Sequence, residues 1–526
     1  MESNRGEPQV LSRCRVYPIV RGTRGQAIST PLSILDASVA RFSATGAIWF
    51  YDSLPKGWQD IVNKNDWAES LCRSLRETLS QFPQWAGQLK WAAWRPDGSY
   101  LERFNRPVIS SGDTSDPGVE WTVIRHPFAL SSVVPNLSHR VSDSGIWIGS
   151  EFSQDPFISN TPIALHDLHE FAGLPAVSIQ LNLFEGDGYA LGVKIAHSLA
   201  DAQSLMVFMS KWTSMNQKYL GRKPEPLTPD PVFAPTDLDT HAAGSLNETA
   251  VDPILSRQAH ALPLHRYDWW DRKGGADDKS RPPPEVLHQA VISPGTRAPW
   301  ETWDSSRPVT YAVIHFSGTE LETMRSSARD SVGAGSQASI SRLDALLSLL
   351  FRLINQSRGL ASSSEDVFIN MSLDVRRRVA PPLPSSFIGS PLIVMHMKAT
   401  GNEACTASLG TLATRLKQDI SLFNAEAIGT VLHDAAYEVS PQRLWGAFLG
   451  SRHVIATSWL RLPVFDLDFD GSGQTPRFVH QVMPKLDGLL QVMDSPAQDG
   501  GVEVGLYLDS ESMEHLLNNK ELRIYS

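Results

Sequence analysis

Apolar and polar positions follow two different periods along this chain. The unbroken apolar run "GAIWFYD" at 46 to 52 predicts a buried strand, whereas Leu71, Leu75 and Leu79 share one helical face and predict a helix over Trp67–Gln81. Two further apolar runs, 176 to 183 and 189 to 196, flank Glu185, Gly186, Asp187 and Gly188 and predict a hairpin, and "PDGS" at 96 to 99 has turn chemistry. Beyond residue 300 the alternation resumes. Ser341 and Asp344 have the spacing of a capping box, and Leu343, Leu346, Leu347, Leu350 and Leu353 continue from it as a helical stripe. Strand-like runs follow at "DVFINMSLDV", "PLIVMHM", "RFVHQVM" and "VEVGLYL".

Between these halves, from about Gly221 to Pro299, the pattern breaks. Pro224, Pro226, Pro229, Pro231 and Pro235 stand near its start and Pro282, Pro283 and Pro284 near its end, a density that opposes regular ladders. A surface linker is the expected form of the segment as a whole. Leu262, Leu264, Tyr267, Trp269 and Trp270 are expected to dock on the body, while the flanks "SLNETAVD" and "KGGADDKSRPPP" remain polar and mobile. The expected organisation is an N-terminal domain over 1–220, a proline-rich crossover over 221–300 and a C-terminal domain over 301–526. Both domains read as mixed α/β, with no internal sequence repeat.

Length agrees with that division, because 526 residues exceed what one core usually organises. Composition then removes several function classes. A formal net charge of -10 opposes a nucleic-acid surface, and the only short basic run is Arg376, Arg377 and Arg378. Cys14, Cys72 and Cys405 lie far apart in the sequence, without the spacing of a disulfide framework or a zinc site, which suits a reducing compartment. The N-terminal twenty residues lack the basic-then-apolar order of a signal peptide, and the most apolar helical segment, 343 to 354, carries Asp344 and Arg352. A cytoplasmic protein without membrane or nucleic-acid partners is expected.

The candidate chemistry lies in "VKIAHSLADAQSL", residues 193 to 205. An apolar strand ends at Ala196, His197 stands at its exit, and Asp201 opens a helix carrying Leu205, Phe208, Met209 and Trp212 on one face. Imidazole titrates near neutrality, so His197 at a strand end suits proton abstraction, with Asp201 fixing local geometry. The spacing alone is common, and a histidine at a strand end is more often structural than catalytic. His139 and Asp143 repeat the spacing, but without the strand before or the amphipathic helix after, and read as a decoy. "HDLHE", residues 166 to 170, lacks the spacing of a zinc-binding helix, so His166, His169 and Glu170 read as a solvated face and no metal is expected.

Further segments raise His197 above that background. "HSLADAQSL" resembles the His-x-x-x-Asp-Gly-x-Ser signature of the BAHD-type acyltransferases, with Ala202 in place of the usual glycine. "DFDGSGQTP", residues 468 to 476, resembles the family's second signature, Asp-Phe-Gly-Trp-Gly followed by proline. Asp468, Phe469, Gly471, Gly473 and Pro476 match it, Asp470 is inserted and Ser472 replaces the tryptophan. "PLSILDASVARFSATGAIWFY", "FPQWAGQLKWAAWRPDGSYLERFN", "ISRLDALLSLLFRL" and "LDVRRRVAPPLPSSFIGSPL" resemble intermediate family segments. Ser472 and the long crossover are more similar to fungal, trichothecene-acetyltransferase-like members that act on secondary metabolites.

The resemblance implies two chloramphenicol-acetyltransferase-like mixed-sheet domains with a channel between them, entered by acyl-coenzyme A from one face and by an alcohol or amine acceptor from the other. It implies that His197 is the general base, that Asp201 pairs with Arg376 across the domains, and that the protein is a monomer needing no metal. Asp468, Gly471 and Gly473 are expected to form a tight supporting loop after a strand. Ser472 either closes that loop, the preferred reading, or donates to the oxyanion. The first functional reading is an acyl-coenzyme A-dependent O-acyltransferase, with acetyl as the acyl group. A condensation-type enzyme using a carrier-protein thioester, an amine acceptor, and a non-catalytic binding protein are the alternatives.

Overall fold

The computed structural model describes residues 7–20, 26–54, 61–142, 145–186, 188–224, 228–271, 281–288, 291–332 and 339–526. The hairpin expected between 176 and 196 is present: Val177–Glu185 pairs antiparallel with Tyr189–Ile195, and Asp187 of its turn lies outside the described residues. Thr45–Tyr51 adds beside it with every residue buried, which is why this strand reads as an unbroken apolar run rather than an alternating one. The sheet continues to six strands in the order Gln9–Val16, Val119–Ala129, Val177–Glu185, Tyr189–Ile195, Thr45–Tyr51, Phe478–Gln481.

A second, seven-stranded sheet runs Leu392–Thr400, Asp366–Asp374, His453–Ser458, Leu489–Asp494, Val502–Asp509, Val309–Phe316, Ile146–Ile148. Both sheets mix parallel and antiparallel pairs. Each also takes an edge strand from the other half of the chain: Phe478–Gln481 completes the first sheet and Ile146–Ile148 the second. Side chains from both sheets, among them Phe50, Phe478, Tyr311 and Tyr507, close into a shared apolar cluster between them. Register between the halves is therefore set by exchanged strands and a common core.

Helices cover the sheets where the stripes predict. Ile61–Thr78 packs against Ala202–Tyr219, and Trp212 Nε1 donates to the Leu71 carbonyl at 3.1 Å and to Ser74 Oγ at 3.0 Å. The first of these begins six residues before the sequence-based start, because Asn63, Lys64 and Asn65 leave no apolar stripe there. Arg342–Ser357 is closed at its N-terminus by the reciprocal Ser341 and Asp344 bonds of the expected capping box.

The crossover departs from its expected form. It is not a surface linker as a whole, and its middle docks as expected: Leu262 and Leu264 pack on the core of the second sheet, and Tyr267 is buried with its hydroxyl 3.1 Å from His453 Nε2. Tyr267–Asp268 even forms a short ladder with Thr296–Arg297 and Leu444–Trp445, despite the neighbouring prolines. Of the two flanks, 245–252 is polar but pinned. Arg103 donates to the Leu246 carbonyl at 2.7 Å, the Tyr437 hydroxyl donates to the Ser245 carbonyl at 3.0 Å, and Glu248 N donates to that hydroxyl at 3.1 Å. Most of the second flank, 272–280, lies outside the described residues.

Asp239, at the end of the crossover helix Pro235–Asp239, ties the segment to the N-terminal half. Its carboxylate accepts from Ile34 N at 2.9 Å and from the Tyr100 hydroxyl at 3.1 Å. Burial, only partly offset by those bonds, pushes its pKa up to about 7. The folded value lies above the ordinary 3.8, so the stability this group contributes is complete below about pH 4 and is lost as pH rises through about 7. Wild type is therefore expected to lose melting temperature relative to Asp239→Asn between about pH 4 and 7, with no further change above. A difference that stays constant over that range contradicts this assignment.

The cysteines also depart from their sequence separation. Cys14 on Gln9–Val16 lies within hydrogen-bond reach of Cys72 on the helix Ile61–Thr78, and burial pushes the Cys72 thiol up to about 11. Among the described residues no helix is long and apolar enough to cross a membrane.

Candidate active site

The strand Tyr189–Ile195 runs out into a short turn, and the helix Ala202–Tyr219 starts immediately after Asp201, whose side chain caps it by accepting from Ser204 N at 2.9 Å. His197 stands in that turn, in the wall of a cavity of about 550 Å³ between the two sheets. The Phe42 ring meets the imidazole edge-on, with centroids 5.4 Å apart. Burial lowers the His197 pKa from 6.5, against an opposing bond to its own carbonyl and the Asp201 charge, so the ring is neutral at physiological pH.

The hydrogen-bond network assigns the tautomer. Ser390 Oγ donates its single proton to the His197 carbonyl oxygen, while Nδ1 of the ring lies 3.2 Å from that same hydroxyl. With its proton committed, the hydroxyl can only accept from Nδ1, which must carry hydrogen. Nε2 then holds a lone pair and takes no hydrogen bond within the described chain. Ser390 is held in turn, because its backbone N donates at 2.6 Å to Asp36 Oδ1, and Asp36 itself belongs to the capping box of the helix Ile34–Ser38. Ser390→Ala is expected to lower turnover about tenfold, the size of one modest hydrogen bond to His197, and to alter the acidic limb of the pH profile. Ser390→Thr should restore both, whereas a mere packing role leaves the pH profile unmoved.

Asp201 and Arg376 meet as the family resemblance implies. Arg376 Nη1 and Nη2 reach the two carboxylate oxygens at 2.6 and 3.0 Å, and both side chains are almost fully buried. The guanidinium also donates to the Phe387 carbonyl, to Ser204 Oγ at 3.1 Å and to Asp374 Oδ1 at 3.0 Å. The pair thus joins the start of the helix behind His197 to the segment that follows the strand Asp366–Asp374.

The second signature forms a tight loop, but it does not follow a strand directly. His453–Ser458 ends ten residues before Asp468, and the loop instead precedes the exchanged strand Phe478–Gln481. Asp468 accepts from the backbone N of Asp470, Gly471 and Gly473 at 3.2, 2.8 and 2.6 Å. Gly471 and Gly473 adopt φ of 70° and 85°, a region that side-chain-bearing residues rarely occupy. The Ser472 hydroxyl donates to Asp470 Oδ1 at 2.7 Å, and no residue from Asp468 to Gly473 lines the cavity beside His197. The loop grips the C-terminal end of the helix Ala202–Tyr219 instead: Asn216 donates to the Phe469 carbonyl at 2.7 Å, and Phe469 packs against Trp212.

The other histidine groups stay apart from this cavity. His139 is exposed on the short helix Leu137–Val141, with Asp143 outside the described residues, and His166, His169 and Glu170 are exposed. Trp269 lines the cavity, whereas Trp270 lies against the Arg443 guanidinium at 5.3 Å. Reasoning from the sequence overlooked Ser390, Arg41, Phe42, Trp303, Trp445 and Trp459, all at or beside this site. The one visible signal for Ser390 is a hydroxyl between Gly389 and Pro391, inside an otherwise apolar stretch.

Two sheets joined over a histidine-bearing cavity, with a paired aspartate capping the helix behind it, define an acyl-transfer scaffold. Residues 151–523 match the Transferase family, and the chain belongs to this family of BAHD-type, acyl-coenzyme A-dependent acyltransferases. It is 25% identical to acyltransferase AFT15-1 of Alternaria alternata over 98% of this chain and 97% of that one. It is 29% identical to agmatine hydroxycinnamoyltransferase 1 of Oryza sativa subsp. japonica over 84% of each. In fold it is similar to the crystal structure of F. graminearum TRI101 complexed with coenzyme A and deoxynivalenol, with TM-score 0.65, 17% identity and coverage of 94% of this chain and 98% of that one.

Proposed function

We propose that this enzyme transfers an acyl group, acetyl in the first instance, from acyl-coenzyme A to a hydroxyl of a small secondary metabolite, with His197 as general base. The carrying observation is the tautomer: Ser390 holds the proton on Nδ1, which leaves the Nε2 lone pair free in a residue that lines the cavity. Nε2 accepts the acceptor's hydroxyl proton as that oxygen attacks the thioester carbonyl carbon. The carbon–sulfur bond then breaks, and the leaving thiolate takes the proton back from Nε2. No residue of the chain is acylated in this sequence, and the apolar cavity wall limits competing attack by water. The fungal acyltransferase relatives and the coenzyme A in the F. graminearum complex support this reading.

An amine acceptor is suggested by the name of the rice relative, but the cavity is poorly made for an ammonium group. Asp201 and Asp374, the carboxylates in its wall, are both bonded to Arg376. The test is thiol release from acetyl-coenzyme A and from an acetylated carrier protein, in the presence of a panel of alcohols and amines. Release from acetyl-coenzyme A that depends on an alcohol supports the proposal. Release only from the carrier thioester, only with amines, or from neither donor overturns it.

A further inference from the structure

The cavity beside His197 is rich in aromatic surface, with Trp269, Trp303, Trp445 and Trp459 in its wall, and poor in free charge. Arg41 is its exception. Nε of Arg41 donates to the Gln442 carbonyl at 3.1 Å and Cζ lies 4.8 Å from the Trp269 ring centre, Nη2 is buried without an acceptor, and among the described residues no carboxylate lies at ion-pair distance from this guanidinium, the Asp167 charge acting on it only from farther away. Burial lowers the Arg41 pKa to about 10, which still leaves it cationic at neutral pH. Nη2 is closed to solvent, but the Arg41 side chain as a whole is only half-buried, so the rest of the guanidinium remains open to a ligand in the cavity.

We infer that Arg41 receives a carboxylate of the acceptor, so that the substrate class is a hydroxylated carboxylic acid with aromatic or other apolar bulk. The inference rests on the transferase reading of the same cavity. Trp269 stacks on one face of the guanidinium, Gln442 takes Nε and Nη2 is closed to solvent, which leaves Nη1 to donate to an incoming anion. Arg41 is followed directly by Phe42, whose ring touches His197, so an acid held at Arg41 lies beside the base. The phosphates of coenzyme A offer the same oxyanion chemistry, but they carry several charges. Arg41 is the only arginine or lysine in this wall among the described residues, a match for a single carboxylate.

The experiment is direct binding, read by calorimetry, of 4-coumaric, 4-hydroxyphenylacetic and indole-3-lactic acids, each against its methyl ester, with coenzyme A measured separately. Wild-type protein is expected to bind at least one acid roughly tenfold to a hundredfold more tightly than its ester, the range for a hydrogen bond to a charged group. Arg41→Gln is expected to erase that preference, Arg41→Lys to keep part of it, and both to bind coenzyme A as wild type does, with melting temperatures checked in parallel. No acid preference in the wild-type protein across all three pairs overturns the inference. A preference that survives in Arg41→Gln, or a loss confined to coenzyme A, does so as well. Failure of thiol release with every acceptor tests the transferase reading instead, because the binding preference is measured without turnover.

Discussion

Replacing His197 with alanine is expected to lower acyl transfer by roughly two to four orders of magnitude, about 3 to 5 kcal/mol of barrier, while leaving the melting temperature and coenzyme A binding nearly unchanged. The ring makes one side-chain hydrogen bond, to Ser390, and lies in a cavity wall rather than in a core, so its removal leaves no unsatisfied buried charge. His139→Ala, at an exposed position on a short helix, is expected to leave turnover within about twofold. Because burial lowers the His197 pKa, the acidic limb of the wild-type pH profile should fall below the 6.5 of an unperturbed imidazole. Steady-state rates of both variants and the wild-type profile from pH 4.5 to 8 settle the assignment. A His139 variant as inactive as the His197 variant, or an acidic limb above 6.5, would falsify the assignment of His197 as base.

Local signals made His197 legible in the sequence: a buried strand on one side, an amphipathic helix on the other, and a capping aspartate at fixed spacing. Asp201 and the loop after Asp468 were legible for the same reason, since caps and left-handed glycines leave marks on neighbouring residues. Ser390, Arg41 and Trp445 are different. They reach the cavity from segments 193, 156 and 248 positions away from His197. No periodicity in any of these three segments records such a meeting, because it is created by sheet order alone. The exchanged strands were hidden for a related reason. Phe478–Gln481 and Ile146–Ile148 are only four and three residues long, and a short apolar run does not say which sheet it will join. The crossover was legible only in its middle: proline density reports what the backbone cannot do and suggested a linker for the whole, whereas Leu262, Leu264 and Tyr267, apolar residues in a polar stretch, marked the part that packs.

Breaking the Asp201–Arg376 pair from either side is expected to destabilise the fold by about 3 kcal/mol or more, since each partner left behind is a charge buried away from water. The two sides are not equivalent. Asp201→Ala also removes the helix cap on Ser204 N, worth about 1 kcal/mol, but leaves Arg376 its bonds to Asp374 and Phe387. Arg376→Met strands the Asp201 carboxylate, which then keeps only the Ser204 N bond among the described contacts. The Asp201→Ala/Arg376→Met double variant removes both charges, so its cost should fall below the sum of the single costs by about 0.5 to 3 kcal/mol. Asp201→Asn keeps the cap and the side-chain volume and should be the mildest of the set. Denaturant unfolding of the four variants measures these differences, and additive costs in the double variant show that the pair is not coupled. Turnover should fall in the same order as stability, because the pair acts on His197 only through the helix start and the Gly389–Ser390 backbone that it holds. Asp201 N bonds the Gly389 carbonyl at 3.0 Å, and Ser390 is the next residue, the one that sets the His197 tautomer. A variant that loses turnover at full stability would instead place Asp201 in the proton-transfer step itself.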